Sequence, residues 1–173
     1  LPGAYQTDSY IQLIQNKKVG IVGNQSSLIN NTHLVDSLLS LNIEITKVFA
    51  PEHGFRGKAE AGAQIKDGKD PKTKLDVVSL YGKNKKPSSE QLAGIDIIIF
   101  DLQGVGARFY TYISTLKYVM EACAENDIPL IVLDRPNPNI HYVDGPVLKK
   151  EFESFVGSMP IPIVYGMTDG ELA

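Results

Sequence analysis

The chain has 173 residues, with 43% hydrophobic and 21% charged side chains, a composition typical of one compact domain with a substantial core. Its formal net charge of −3 argues against a nucleic acid as the main partner, because phosphate binding favours a basic surface. Cys123 is the one cysteine of the sequence, which excludes an internal disulfide and a thiolate metal site, and no apolar run is long enough to span a membrane.

Short apolar runs alternate with helical patterns along the chain. Strands are predicted over residues 19–23, 43–49, 77–81, 95–101 and 129–134. Helices are predicted over residues 33–41 and 111–125, where apolar side chains recur at helical spacing. Continuous apolar strands that alternate with helices predict an α/β fold, with an open, mostly parallel sheet covered by helices on both faces.

Both ends of the sequence suggest a trimmed chain. The first residue is Leu1 rather than Met, as after removal of a signal peptide or at the boundary of a fragment. Near the other end, Thr168 with Glu171 three residues later is typical of a capping box that begins a helix. The sequence stops within one turn of that point, so we expect that part of the working protein lies beyond Ala173.

Polar and ionisable side chains are concentrated just after the predicted strands. In open α/β sheets, ligands bind in the crevice beyond the carboxyl ends of the strands. The segments that follow strands are residues 24–27, 50–57, 101–110 and 134–139. We therefore expect these four segments to meet at one edge of the sheet and to form a site there.

Residues 51–54 place a carboxylate beside an imidazole in a rigid turn. Pro51 fixes its own backbone angle and Gly54 permits unusual ones, so Glu52 is a candidate catalytic acid, which must be held in place. The alternative is that Glu52 caps a helix or pairs with Arg56. His53 could be a general base, a metal ligand or a hydrogen-bonding wall residue. The three histidines lack metal-ligand spacing, so no metal site is expected.

Asp101 ends the most apolar predicted strand, where a carboxylate is costly unless it is hydrogen-bonded or functional. A structural pair with Arg108 and a catalytic role are both open at this point. Phe109 is expected to pack in the core. Tyr110 and Tyr112 are expected at the mouth of the sheet, where aromatic rings and phenolic hydroxyls suit a sugar.

Two common catalytic or cofactor motifs are absent from the sequence. Gly104 and Gly106 begin a dinucleotide-type loop, but the pattern fails at Phe109. No G-x-S-x-G elbow is present, which disfavours an α/β-hydrolase with a serine nucleophile. Neither a nucleotide partner nor any cofactor is therefore expected.

Eight segments carry a family resemblance, and they are residues 48–57, 61–62, 79–82, 100–112, 133–138, 145–148, 154–157 and 166–173. In this order they resemble a bacterial family once described as a domain of unknown function, the exo-β-N-acetylmuramidases of the NamZ (YbbC-like) type. Because the segments span nearly the whole chain, the series is more specific than any single motif. One departure is Tyr165, which stands where the family usually carries a histidine.

The resemblance implies a glycoside hydrolase that releases N-acetylmuramic acid from the non-reducing end of peptidoglycan fragments. It also implies an extracytoplasmic location, periplasmic or secreted. Residues 1–173 would form a Rossmann-like N-terminal domain, followed by a smaller C-terminal domain with the active site near the junction. The alternative function is a cell-wall glycan-binding module without catalysis.

Glycoside hydrolysis normally uses two carboxyl groups. Glu52 is the first choice for the acid, and Glu60 and Asp101 compete for the second role unless the substrate's own acetamido oxygen attacks the anomeric carbon. Arg56, Arg108 and Arg135 are candidates for binding the lactyl carboxylate of muramic acid, because a guanidinium fork matches a carboxylate. The remaining predicted substrate-binding residues are Asn24, Gln103, Tyr110, Tyr112 and Asn137.

Overall fold

The apolar runs of the sequence form a parallel sheet in the computed structural model of the protein, which describes residues 1–57 and 67–173. The strands are β1 (Val19–Gly23), β2 (Leu28–Ile29), β3 (Thr32–His33), β4 (Ile45–Ala50), β5 (Gly68–Lys69), β6 (Asp76–Ser79), β7 (Ile97–Asp101) and β8 (Leu130–Val132). In these described ranges, six strands make one sheet in the order β5-β6-β4-β1-β7-β8, and β2 and β3 form a separate antiparallel pair. Among the strands that the structure describes, only β5 runs antiparallel to its neighbour in the larger sheet.

Helices lie in several of the connections between the parallel strands that the structure describes. The α-helices are α1 (Thr7–Ile14), α2 (Leu34–Ser40), α3 (Ser89–Leu92), α4 (Tyr112–Glu125) and α5 (Asp169–Leu172). Short 3-10 turns lie at Gly3–Tyr5 and Lys150–Phe152. Three of the α-helices begin at side-chain caps: His33 caps α2, and the capping boxes of Ser88 with Gln91 and of Thr168 with Glu171 begin α3 and α5.

The sheet is buried on both faces, and its strands alternate between two cores. In β7, the side chain of Ile99 packs into a core with α1 and α2, whereas Phe100 packs into a second core with α3 and α4. Successive strand residues point to opposite faces, so an uninterrupted apolar run supplies both cores at once. This arrangement confirms the predicted α/β class, with an open, mostly parallel, Rossmann-like sheet and helices on both faces.

The predicted elements differ from the observed ones mainly at their ends. The strand predicted over 43–49 is observed as β4, and the strand predicted over 129–134 shortens to β8. The short elements α1, α3, β2, β3 and β5 were not predicted. No helix in ranges 1–57 and 67–173 is both long enough and apolar enough to cross a bilayer.

The strand order locates the crevice where a ligand is expected. Strand β1 lies in the middle, with β4 on one side and β7 on the other, so the direction of winding reverses between β1 and β7. Ligands of such sheets bind beyond the carboxyl ends of the strands at this switch point. The loops that begin after β4, β1 and β7 therefore border the crevice.

Candidate active site at the carboxyl edge of the sheet

The loop after β4 carries the predicted catalytic acid. The carbonyl oxygen of Pro51 accepts a hydrogen bond of 3.1 Å from the backbone N–H of Gly54, which closes a tight turn. His53 and Gly54 have positive φ angles of 71° and 77°, so the turn uses the left-handed conformation that glycine adopts readily. Phe55 is buried and packs edge-on against His33, which anchors the end of the turn to the core.

This turn forms one wall of a cavity of about 230 Å³. The lining residues are Glu52, His53, Phe109, Tyr110, Thr111 and Tyr112. The segment before α4, which follows β7, thus meets the loop after β4 at the same edge of the sheet, although β1 lies between these two strands. Among the residues that the structure describes, Glu52 is the one carboxylate in this lining.

Hydroxyl groups surround the Glu52 carboxylate. Thr111 donates a long hydrogen bond of 3.4 Å from its Oγ1 to Oε2 of Glu52. Hydrogen bonding to Glu52 is also the main reason why the pKa of Tyr81 is raised. The predicted alternatives for Glu52, a helix cap or an ion pair with Arg56, do not describe this environment.

The aromatic side chains of the cavity are arranged partly as predicted. The rings of Tyr110 and Tyr112 meet edge to face with centroids 5.9 Å apart. Tyr110 is 46% exposed, whereas Tyr112 is 7% exposed. The prediction for Phe109 was wrong, because its side chain is 60% exposed at the cavity and does not belong to the core.

A larger cavity of about 330 Å³ lies along α4, away from this turn. Its walls are mainly apolar and include Leu116, Met120 and Met159. It contains neither Glu52 nor His53, so its size alone does not make it the candidate active site.

Asn24 lies directly beneath the cavity rather than in its wall. Its side chain is 1% exposed, and its Nδ2 donates a hydrogen bond of 2.9 Å to the hydroxyl of Tyr112. The predicted direct contact with a substrate is therefore not supported, because Asn24 has no surface available to a ligand. Its contact with Tyr112 gives it an indirect link to the cavity.

Asp101 and Arg135 form a buried ion pair. Nε and Nη2 of Arg135 donate to the two carboxylate oxygens of Asp101 over 2.7 and 3.0 Å. Burial raises the pKa of Asp101, and the Arg135 guanidinium opposes that rise. Asp101 is fully buried, which argues against a catalytic role, and the ion pair uses Nε and Nη2 of Arg135, which argues against recognition of a substrate carboxylate by this guanidinium fork. The predicted structural pair of Asp101 with Arg108 was also wrong, because the arginine that pairs with Asp101 is Arg135.

The two other candidate arginines also have partners within the protein. Arg56 donates to both oxygens of Asp70 and both oxygens of Asp36, which uses four of its five N–H groups. Arg108 donates from Nη1 to the backbone carbonyl oxygens of Pro146 and Ile161. These contacts favour structural roles for Arg56 and Arg108 over the predicted recognition of a lactyl carboxylate.

Gln103 and Asn137 hold loops together at the same edge. Nε2 of Gln103 donates to the carbonyl oxygens of Gly104 and Pro136, over 2.7 and 2.9 Å. Nδ2 of Asn137 donates to the carbonyl oxygen of Met167 over 2.7 Å. Oδ1 of Asn137 accepts from the backbone N–H of Asn139, so both atoms of its amide are bonded within the protein and its predicted contact with substrate is not supported, whereas Gln103 is partly exposed.

Sequence reasoning missed a second acidic group at this edge. Asp169, the first residue of α5, is 5% exposed, and its Oδ2 has no hydrogen-bond partner within the described residues. Burial first, and then the charge of Asp134, raise the pKa of Asp169 to about 6, while a hydrogen bond with Tyr165 lowers it. The capping box predicted the helix start, but no sequence signal predicted that Asp169 would be buried there.

Glu60, the other candidate for the second carboxylate, lies outside the described residues. Within residues 1–57 and 67–173, no group of three or more His, Cys, Asp or Glu side chains is placed to hold a metal ion.

Comparisons with known proteins agree with the sequence resemblance. Residues 19–173 match a family described as exo-beta-N-acetylmuramidase NamZ, N-terminal. The chain is 48% identical over 169 residues to the peptidoglycan beta-N-acetylmuramidase NamZ of Bacillus subtilis (strain 168), covering 95% of the chain and 40% of that protein.

Two solved structures of DUF1343 family proteins from Bacteroides fragilis share the fold. They superpose with TM-scores of 0.88 and 0.90 at 45% and 38% sequence identity, and both alignments cover 99% of this chain. The alignments cover 45% and 44% of those two proteins. The chain thus spans less than half the length of each of these relatives.

Proposed function

The chain belongs to the exo-β-N-acetylmuramidase NamZ N-terminal family, and from this membership we propose that the protein is a glycoside hydrolase that acts on peptidoglycan. Its substrate is a peptidoglycan fragment with N-acetylmuramic acid at the non-reducing end, and its product is the released N-acetylmuramic acid. The name of the Bacillus subtilis relative supports the reaction and the polymer. The exo-acting mode is part of the family description.

The observation that carries this proposal is the position of Glu52 in an open cavity with aromatic walls. A half-buried carboxyl group can reach a bound sugar and exchange a proton with the glycosidic oxygen. Tyr110 presents an exposed ring, which suits the C–H face of a sugar. His53 occupies the same wall as Glu52 and is available for hydrogen bonding to sugar hydroxyls.

The second catalytic group is either Glu60 or the substrate itself. The buried pair with Arg135 argues against Asp101 in this role, because the Asp101 carboxylate is fully buried. If Glu60 does not serve, the 2-acetamido oxygen of the sugar attacks the anomeric carbon, as in substrate-assisted glycosidases. Either route keeps Glu52 as the group that handles the proton.

An extracytoplasmic location is part of the same proposal. Peptidoglycan lies outside the cytoplasmic membrane, so an enzyme that trims its fragments would meet them in the periplasm or outside the cell. The expected smaller C-terminal domain stays a prediction, because the chain spans less than half of each relative.

Replacing the carboxyl group of Glu52 tests the proposed function. We expect Glu52→Gln to lower the release of N-acetylmuramic acid by at least about 100-fold, since general acid–base catalysis contributes that much or more. The measurement is turnover of a chromogenic β-N-acetylmuramide by the complete protein, with thermal unfolding as the check on folding. Glu44→Gln is the matched control, because Glu44 is exposed just before β4 and lies outside the cavity.

Full activity in Glu52→Gln would remove Glu52 from the mechanism. A different result, in which the unaltered protein binds the muramide without turning it over, would favour the glycan-binding module over the hydrolase.

A further inference from the structure

The orientation of the Asn24 amide is determined by its hydrogen bonds. Oδ1 accepts from the backbone N–H of Ser26 over 2.8 Å and from the Ser26 hydroxyl over 2.6 Å. Because both of these groups donate, the atom facing Ser26 must be the oxygen. The amide nitrogen therefore faces Tyr112, whose hydroxyl oxygen lies 2.9 Å away.

The backbone of Asn24 is held just as firmly. Nδ1 of His33 accepts from the N–H of Val35 at the start of α2, so the neutral ring carries its proton on Nε2. Nε2 then donates to the carbonyl oxygen of Asn24 over 2.9 Å. Burial is the main cause that lowers the pKa of His33, which favours the neutral ring. Asn24 is thus a rigid donor pointing at Tyr112.

A donor in this position decides which way the Tyr112 hydroxyl points. Since Asn24 donates to the phenolic oxygen, the phenol cannot use its own proton on Asn24. Within residues 1–57 and 67–173, that single bond is the one hydrogen bond of the Tyr112 hydroxyl. The pKa of Tyr112 is raised, chiefly by burial, so the phenol keeps its proton at neutral pH.

We infer that Tyr112 donates its hydroxyl proton to an uncharged oxygen of the bound amino sugar, and that Asn24 is the positioning residue that directs this donor. The inference rests on the proposed function for the identity of the ligand. It is supported by the place of Tyr112 in the wall of the cavity that contains Glu52. An amino sugar offers acetamido and hydroxyl oxygens that accept hydrogen bonds without carrying charge, so they suit a neutral donor beside a carboxylate.

Removing the hydroxyl while keeping the ring tests the donor. We expect Tyr112→Phe to weaken binding of N-acetylmuramic acid by about tenfold, the size typical of one lost hydrogen bond. Calorimetry on the complete protein gives this Kd, and turnover of the muramide gives kcat/KM, which is expected to fall by a similar factor. Tyr118→Phe is the control, because it removes a hydroxyl from the same helix where the ring stacks on Phe155, outside the cavity.

A double-variant cycle tests the positioning role of Asn24. Asn24→Asp keeps the oxygen that accepts from Ser26 but replaces the donor by an acceptor, which takes the Tyr112 proton for itself. We expect Asn24→Asp to weaken binding as much as Tyr112→Phe, and the double variant to be no weaker than either single one. A purely structural role for Asn24 predicts additive losses instead, and that result would overturn the assignment.

Other outcomes separate this inference from the proposed function. Wild-type Kd and kcat/KM in Tyr112→Phe would refute the donor, whatever Asn24→Asp does. If Asn24→Asp does not fold, the comparison of Tyr112→Phe with Tyr118→Phe still decides. If the unaltered protein binds the sugar through Tyr112 but does not hydrolyse the muramide, the proposed hydrolase function is refuted. The assignment of Tyr112 as a donor is then supported.

Discussion

The carboxyl group of Asp169 is held in an unfavourable environment at the start of α5. It packs against Gly104, where any side chain would collide with the carboxylate. The nearby carboxylate of Asp134 accepts from the backbone N–H of Gly170 and so stays close to Asp169. Burial and this neighbouring charge raise the pKa of Asp169 from 3.8 to about 6. Ionisation of Asp169 therefore opposes folding.

The sign of the pH dependence follows from this raised pKa. Below about pH 4, Asp169 is neutral in both the folded and the unfolded chain, so it does not lower the free energy of unfolding. As the pH rises through 6, the unfolded chain carries the charge easily while the folded chain must bury it. We expect Asp169→Asn to be more stable than the unaltered protein at pH 8, by on the order of 2 to 3 kcal/mol, and to show little difference at pH 4.

Urea unfolding at pH 4, 6 and 8 measures this difference. Asp8→Asn serves as the control, because Asp8 is exposed on α1 and its loss should leave the pH dependence nearly unchanged. A gap between Asp169→Asn and the unaltered protein that stays constant from pH 4 to pH 8 would contradict the buried-charge explanation.

At the scale of elements, Arg56 ties the loop that carries Glu52 to two other parts of the fold. One is α2, through Asp36, and the other is the segment between β5 and β6, through Asp70. The Asp70 side chain is fully buried, and its pKa is held well below its usual value of 3.8, first by the hydrogen bond from Arg56. Burial acts to raise the pKa of Asp36, but hydrogen bonds from Arg56 and Lys72 hold it below its usual value.

Breaking this connection should destabilise the protein in a pH-dependent way. Arg56→Met leaves Asp70 buried without its main partner, and we expect a loss of about 3 kcal/mol at pH 7. The two lowered pKa values contribute stability above about pH 4 that is lost as the pH falls. The difference between variant and unaltered protein should therefore shrink at pH 3.

Denaturant unfolding at pH 7 and pH 3 gives both values. Arg56→Lys, which keeps the charge but loses the planar fork, should fall between Arg56→Met and the unaltered protein. Equal stability of Arg56→Met and the unaltered protein at pH 7 would show that the ion pairs contribute no net stability.

At the scale of the whole molecule, the described residues form two apolar cores, one on each face of the larger sheet. Ile99 belongs to the core under α1 and α2, and Phe100 belongs to the core under α3 and α4. Both residues are on β7, and both are at most 1% exposed. Because the parallel strands of the sheet contribute to both cores, one core cannot separate without disrupting the sheet that supports the other.

The two cores should therefore unfold together. We expect Ile99→Ala to cost about 2 to 5 kcal/mol and Phe100→Ala about 3 to 5 kcal/mol, each in a single transition. Urea unfolding followed by tyrosine fluorescence and by far-UV circular dichroism measures this, and Phe152→Ala, at a side chain 66% exposed, is the control. Separate transitions for the two probes would show that the cores are independent.

The sequence by itself determined the class of the fold and the position of the candidate site. Apolar runs such as 95–101 favour strands of a sheet covered on both faces, and the periodicity of 111–125 indicates a helix. The turn at Glu52 was predicted correctly at the carboxyl edge, because the chain order of strands and loops decides which residues follow a strand. Short elements such as α3 were missed, because they carry too few residues to show a period.

Only the tertiary structure decided which polar groups are available to a ligand. The side chains of Arg135, Arg56 and Asn24 are chemically suited to binding a ligand. In the folded chain, however, each is hydrogen-bonded to a residue 14 or more positions away in the sequence. Asp101 could not be assigned to Arg135 from the sequence, since 34 residues separate them. Hydrogen bonds and burial depend on how separate loops meet in space, and a pattern along one chain does not contain that information.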